Sequence, residues 1–141
     1  MDNKILIEDI AFAMQNNSCY SFYKTATKEV IMIPEDDGFW IEEEEEEYNK
    51  IMEDDYEEGE YIRIRKSDSR ESFGLMESFT DELEDGRIKN ELYRALSERK
   101  PFRTFRFVLD GNDEYLQKWY KYRDDYYNQK AIEFLKENNI K

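Results

Sequence analysis

Residues 19–34, CYSFYKTATKEVIMIP, decide the fold of the first half of the chain. Two runs of aromatic and β-branched residues, 19–23 and 29–33, are typical of β-strands, and the residues 25–28 between them are typical of a turn. Proline cannot donate a ladder hydrogen bond, so the proline that follows marks the end of the second run. The pattern predicts a β-hairpin over residues 18–33.

The elements on either side of the hairpin add a strand and a helix. Residues 61–66, YIRIRK, alternate apolar and basic side chains, which is typical of a strand with one solvated face. We expect a third strand over residues 60–66 and a small antiparallel sheet of about three strands. Residues 7–15 are predicted to form a helix, because four apolar side chains share one helical face: Ile7, Ile10, Ala11 and Met14.

The second half of the chain has a helical apolar period in four successive stretches. Ser69 is the expected N-cap of the first stretch, and Asp85-Gly86 is its expected end. The third stretch begins at Pro101, a residue that suits the first helical turn. It is expected to point three apolar side chains inward, namely Phe102, Phe105 and Leu109. The last stretch covers residues 113–138.

Together these elements predict an α+β protein with a helical C-terminal half of about four helices. A chain of 141 residues is within the range that one core supports, so a single domain over residues 1–141 is expected. Aromatic residues make up 16% of the chain, which favours a packed core although 40% of the residues are charged.

The negative charge is concentrated between residues 35 and 60. This acidic segment holds fifteen acidic residues and one basic residue, which equals the whole net charge of −14, so the rest of the chain is neutral. Six consecutive glutamates favour a solvated and mobile loop. In contrast, four apolar or aromatic residues have the spacing of one helical face, namely Tyr48, Ile51, Met52 and Tyr56. Two alternatives therefore stand for this segment: a loop, or a helix that packs on the rest of the protein through this apolar face.

The opposite charge bias occurs in the stretch 87–107, where seven bases and two acids stand between Arg87 and Arg106. Guanidinium groups make bidentate contacts with phosphates and carboxylates, so we predict a patch for an anionic partner. Its candidate residues are Arg94, Arg99, Lys100, Arg103 and Arg106. Two alternatives are a solvated basic face over core phenylalanines, and neutralisation of the patch by the acidic segment.

Trp119 and Tyr120 form a candidate aromatic contact surface, because both residue types are enriched in protein interfaces. The alternative is that they pack the helices together.

The residue types exclude several kinds of chemistry. The chain has no histidine and a single cysteine, Cys19, which removes His-based catalysis, internal disulfides and His- or Cys-cluster metal sites. The acidic segment lacks the spacing of a calcium-binding loop, and no phosphate-binding or nucleophile motif occurs. We predict no catalytic residue, no metal site and no cofactor. A lone cysteine and the lack of a long apolar run lead us to expect a cytoplasmic protein that does not bind membranes.

Seven stretches of the chain together carry a family resemblance: IEDIAFAM (7–14), YSFYKTATKEVIMIPE (20–35), YIRIRK (61–66), ESFGLMESFTDEL (71–83), RIKNELYRALSERKPFRTFRFVL (87–109), Trp119-Tyr120 and AIEFLKENNI (131–140). In these stretches the chain resembles uncharacterised protein family 0158, a set of bacterial proteins, most distinctively in ALSERKPFRTFRFVL. It departs from the family pattern at Phe134, where tryptophan is expected, and at Lys100, where a small residue is usual. The resemblance implies no activity and no functional residues.

These observations favour a non-catalytic binding or regulatory module whose expected partner is another protein. One alternative is a single-strand nucleic-acid binder that uses the stretch 87–107. Another is an enzyme with a carboxylate-based site. The oligomeric state stays open.

Overall fold

The computed structural model describes residues 3–36 and 40–140, so residues 37–39 of the acidic segment and both ends of the expected domain lie outside the described residues. The elements follow in the order α1 (Lys4–Gln15), β1 (Cys19–Lys24), β2 (Glu29–Pro34), α2 (Glu42–Met52), β3 (Tyr61–Ile64), α3 (Ser69–Asp81), α4 (Arg87–Leu96), α5 (Pro101–Asp110) and α6 (Asp113–Glu137).

The α+β class and the three-stranded antiparallel sheet are confirmed. The strand order is β2-β1-β3, so β1 is central and pairs on both sides. In the hairpin Tyr20 is opposite Ile33, and on the other side of β1 Ser21 is opposite Ile64. The described residues contain six helices, of which α1 and α2 precede β3 and α3 to α6 follow it.

The chain divides into two compact units, and α6 contributes to both. We call them the sheet unit, Met1–Ser67 with Tyr127–Lys141, and the helical unit, Asp68–Tyr126. In the sheet unit α1 packs on the sheet. A core cluster there joins strand residues to two residues of α2: Phe22, Ile33, Tyr48, Ile51 and Tyr61. The helix alternative is therefore correct for residues 42–52 of the acidic segment, because α2 has an apolar face that the sheet covers.

Helix α3 begins and ends at residues that differ from the expectation. Asp68, not Ser69, is the N-cap, because its carboxylate accepts a hydrogen bond from the backbone N–H of Glu71 at 2.8 Å. The helix ends at Asp81, four residues before Asp85. Lys89 of α4 donates to the backbone carbonyls of Asp81 and Leu83, which satisfies acceptors at the helix end without a glycine cap.

The core of the helical unit is an aromatic cluster. Trp119 has its ring centroid 5.3 Å from those of both Phe79 and Phe105, in edge-to-face geometry. Phe105 and Leu109 of α5 are fully buried, as predicted, but Phe102 is 43% exposed, so its predicted inward orientation is wrong. Periodicity gives the apolar face of a helix, whereas it does not give the point along the axis at which the covering elements end.

Ser21 provides a test of the sheet. Its hydroxyl is buried in the central strand and has no hydrogen-bond partner within the described residues, a situation that costs about 1–3 kcal/mol. We expect Ser21→Ala to raise the free energy of unfolding by about 1 kcal/mol in chemical denaturation. Ser18→Ala, at an exposed position before β1, is the control and should change it by less than about 0.5 kcal/mol. A loss of stability in Ser21→Ala would contradict this account of the buried hydroxyl.

Candidate functional site

The predicted basic residues lie on α4, on α5 and in the connection between these helices. Helix α4 ends at Leu96, and a four-residue connection that contains Arg99 and Lys100 leads to α5, whose first turn begins with Pro101. Burial of Phe105 and Leu109 turns the opposite side of α5 towards solvent.

Four of the five candidate bases line one surface groove with a volume of about 650 Å³, here called the basic groove: Arg99, Lys100, Arg103 and Arg106. Phe107 and two carboxylates, Glu98 and Asp110, also line it. The structure therefore brings these bases around one concavity, which composition alone does not predict.

The fifth candidate, Arg94, lines a second groove of about 700 Å³, here called the Arg94 groove. Thr104, Phe107, Glu98 and Asp110 line both grooves, so the two adjoin along α5. The candidate bases thus lie on both sides of Phe107.

Arg106 is held in place by its neighbours within the helical unit. Its Nε donates to Asp110 Oδ1 at 2.7 Å, which raises the pKa of Arg106 above its ordinary value. Its guanidinium carbon lies 5.4 Å from the centre of the Tyr120 ring, and that of Arg123 lies 4.9 Å from the same centre. Tyr120 therefore serves to position two arginines.

The other candidate bases have free charges. The side chains of Arg94, Arg99, Lys100 and Arg103 are exposed and form no ion pair within residues 3–36 and 40–140. Within the sheet unit, Glu47 of the acidic segment binds Lys24 and Glu60 binds Lys50.

Phe107 is the functional candidate that the sequence analysis missed. Its side chain is 77% exposed, and it follows Arg103 by one helical turn. The spacing of Phe105 and Leu109 contained this signal, because a residue midway between two buried positions at i and i+4 faces away from them. The alternative of core phenylalanines is correct for Phe105 alone among the three in α5.

Trp119 is only 9% exposed and belongs to the aromatic core. It therefore follows the packing alternative and not the expectation of a contact surface, because the rings of Phe79 and Phe105 cover it. Tyr120 is half-buried beneath the two arginines that it positions.

Polar contacts as well as packing hold α2 to the sheet. Glu47 accepts hydrogen bonds from Lys24 Nζ at 2.7 Å and from Tyr61 Oη at 2.6 Å. Trp40 precedes the helix, donates from Nε1 to the Pro34 carbonyl and packs edge-on against Tyr48. These contacts leave one side of α2 to solvent, and Glu42 to Glu46 are all exposed.

The titration behaviour of this segment follows from these contacts. The hydrogen bonds from Lys24 and then Tyr61 lower the pKa of Glu47, and the hydrogen bond from Lys50 lowers the pKa of Glu60. Burial, together with the hydrogen bond to Glu44, raises the pKa of Tyr48 to about 12. A lowered carboxyl pKa keeps Glu47 and Glu60 ionised near neutral pH, which suits their ion pairs with Lys24 and Lys50.

Two further properties concern the described residues as a whole. Across residues 3–36 and 40–140, no three Asp, Glu or Cys side chains gather in an arrangement that could hold a metal ion. Every helix in that part of the chain is too short or too polar to cross a lipid bilayer.

The protein is thus a small α+β protein with basic side chains and an exposed aromatic ring on α4, α5 and the connection between them. A sequence model of the uncharacterised protein family UPF0158 matches residues 1–141, and the chain belongs to this family. A UPF0158 protein from Pseudomonas aeruginosa is 28% identical over 134 residues, which cover 95% of this chain and 82% of that protein. No solved structure matches the chain.

Trp119→Ala tests the structural role of this residue. Removal of a buried tryptophan from a packed core costs about 3–5 kcal/mol, so we expect a loss of this size in the free energy of unfolding. Phe107→Ala is the matched control, and its exposed side chain should contribute less than about 0.5 kcal/mol. Equally small losses in both variants would place Trp119 on the surface.

Glu47→Gln tests the polar anchor of α2. The lowered pKa means that the carboxylate stabilises the fold above its ordinary pKa of 4.5, and that this contribution disappears as the pH falls through the lower value of the folded state. We expect Glu47→Gln to unfold about 1–2 kcal/mol more easily at pH 7 and to approach the wild type below pH 4.5. The exposed control Glu46→Gln should match the wild type at both pH values. A pH-independent difference would assign the effect of Glu47→Gln to packing.

Proposed function

We propose that this protein is a non-catalytic binding module, and that the basic groove and the Arg94 groove together bind an acidic polypeptide segment. The observation that supports this most is the set of unpaired bases on both sides of the exposed ring of Phe107. Exposed bases favour carboxylates, and an exposed aromatic ring favours an apolar side chain.

The adjoining grooves favour an elongated occupant. A segment that crosses Phe107 can place carboxylates near Arg94 on one side and near Arg99 and Arg103 on the other, with an apolar side chain on the ring between them. Arg106 loses less conformational entropy on binding, because Asp110 and Tyr120 already fix its guanidinium group.

The carboxylates in the grooves favour a polypeptide over a nucleic acid. Glu98 and Asp110 lie among the bases, where they can accept hydrogen bonds from the backbone N–H groups of a polypeptide, donors that a phosphate backbone lacks. The alternative of single-strand binding draws support from Phe107 beside Arg103, since bases of nucleic acids stack on exposed rings.

We place this binding in the cytoplasm. Cys19 is a free thiol, which persists in a reducing compartment, and the single cysteine allows no internal disulfide.

Fluorescence anisotropy with a labelled glutamate-rich peptide that carries one central leucine tests the proposal. We expect wild-type protein to bind it at about 50 mM salt, with affinity that falls as salt rises. Arg99→Ala/Arg103→Ala should weaken binding about tenfold, which corresponds to about 1.4 kcal/mol. The control Arg70→Ala/Arg87→Ala removes the same charge from exposed positions of the same unit, outside both grooves, and should bind like the wild type.

A single-stranded oligonucleotide of matched charge is the second ligand in this assay. No peptide binding at low salt, or equal weakening by both double variants, would overturn the groove proposal. Binding of the oligonucleotide in place of the peptide would assign the groove to nucleic acid.

A further inference from the structure

The chain itself carries a surface with the chemistry that the basic groove is proposed to bind. Ile41 is 57% exposed and directly precedes the glutamate run at the start of α2. Glu42 and Glu46 are one helical turn apart, so they share an exposed side of the helix, with Glu45 next to them. We call Ile41, Glu42, Glu45 and Glu46 the acidic face.

The acidic face has no ion pair within the described residues of the sheet unit. Glu42, Glu45 and Glu46 form no ion pair in the portion of the chain that the structure describes, whereas the neighbouring Glu47 is bound by Lys24 and Tyr61. Arg99, Lys100 and Arg103 of the basic groove are unpaired in the same sense. Two complementary sets of charges are therefore each unpaired within the described residues of their own unit.

The acidic face is also ordered, because it lies on α2, which packs against the sheet. Tyr48 and Ile51 are buried in the core cluster, and Glu47 is hydrogen-bonded to the sheet. An ordered surface loses less conformational entropy on binding than a mobile acidic chain would.

We infer that the acidic face of one copy of this protein docks in the basic groove of a second copy. This inference rests on the proposed function, because it names the occupant of the same groove. Carboxylates of α2 meet the guanidinium groups of Arg99 and Arg103 in bidentate contacts, and Ile41 packs on the exposed ring of Phe107.

The contact is heterologous, because it joins different surfaces of the two copies. Such contacts add copies head to tail and produce chains or closed rings. Each copy carries a net charge of −14, so remote charges repel. At about 0.15 M salt the Debye length is about 8 Å, which screens this repulsion more than it screens touching pairs. We therefore expect association near this ionic strength and its loss at about 1 M salt.

Charge reversal on each surface tests the contact by sedimentation velocity. One variant, Glu42→Lys/Glu46→Lys, reverses the acidic face, and the other, Arg99→Glu/Arg103→Glu, reverses the groove. Wild-type protein should show a sedimentation coefficient that rises with concentration. Each variant alone should sediment as a monomer, because its two surfaces then carry the same sign. An equimolar mixture should associate again, since each surface of one variant is complementary to a surface of the other.

Matched controls make the same charge changes elsewhere. Glu57→Lys/Glu58→Lys lies in the acidic segment after α2, and Arg70→Glu/Arg87→Glu lies in the helical unit outside both grooves. Both should associate like the wild type. Recovery of association on mixing also excludes misfolding as the cause of the loss, because two misfolded variants would not restore it.

The remaining outcomes separate the inference from the proposed function. A wild type that stays monomeric up to about 1 mM yet binds the acidic peptide overturns the inference and leaves the proposed function intact. Reversal variants that associate like the wild type, or a mixture that stays monomeric, overturn the inference as well. A wild type that neither associates nor binds the peptide overturns both.

Discussion

Helix α2 carries six consecutive glutamates, and the burial of Tyr48 and Ile51 against the sheet keeps it in place. Like charges at i and i+4 destabilise a helix by about 0.2–0.5 kcal/mol a pair. Burial of one large apolar side chain contributes about 1.5–3 kcal/mol, so two such residues outweigh the repulsion within the run. Glu47 then joins the anchor through Lys24 and Tyr61, which turns one member of the run into a structural contact.

A comparable constraint shapes the helical unit. The edge-to-face cluster around Trp119 takes in Phe105, and this contact fixes the rotation of α5. The same rotation that buries Phe105 presents Arg103 and Phe107 to solvent. Because α5 begins at Pro101, Arg99 and Lys100 lie in the connection between α4 and α5, beside this exposed side. The basic groove is therefore a consequence of how the core of this unit packs.

The two units differ in the way they handle charge. In the sheet unit, Lys24 and Lys50 pair with carboxylates of the acidic segment. In the helical unit, Arg106 is paired and stacked, while Arg99 and Arg103 are left without an ion pair in the described part of the chain. Membership of family UPF0158 places this arrangement in a group of proteins without an assigned activity.

The sequence by itself determined the hairpin, the third strand, the helical second half and the concentration of negative charge, since these follow from local periodicity and residue type. It also indicated both candidates for α2, a loop from the glutamates and a helix from the spacing of Tyr48 and Ile51. Only the tertiary structure decided between them, because the free energy that favours the helix comes from burial against strands distant in sequence. The tertiary structure also decided that Trp119 is buried in the core and that Phe107 is exposed on the surface. Periodicity treats both residues alike, because both are large aromatic side chains. Their exposure depends on which neighbouring helices cover each side of α5 and α6.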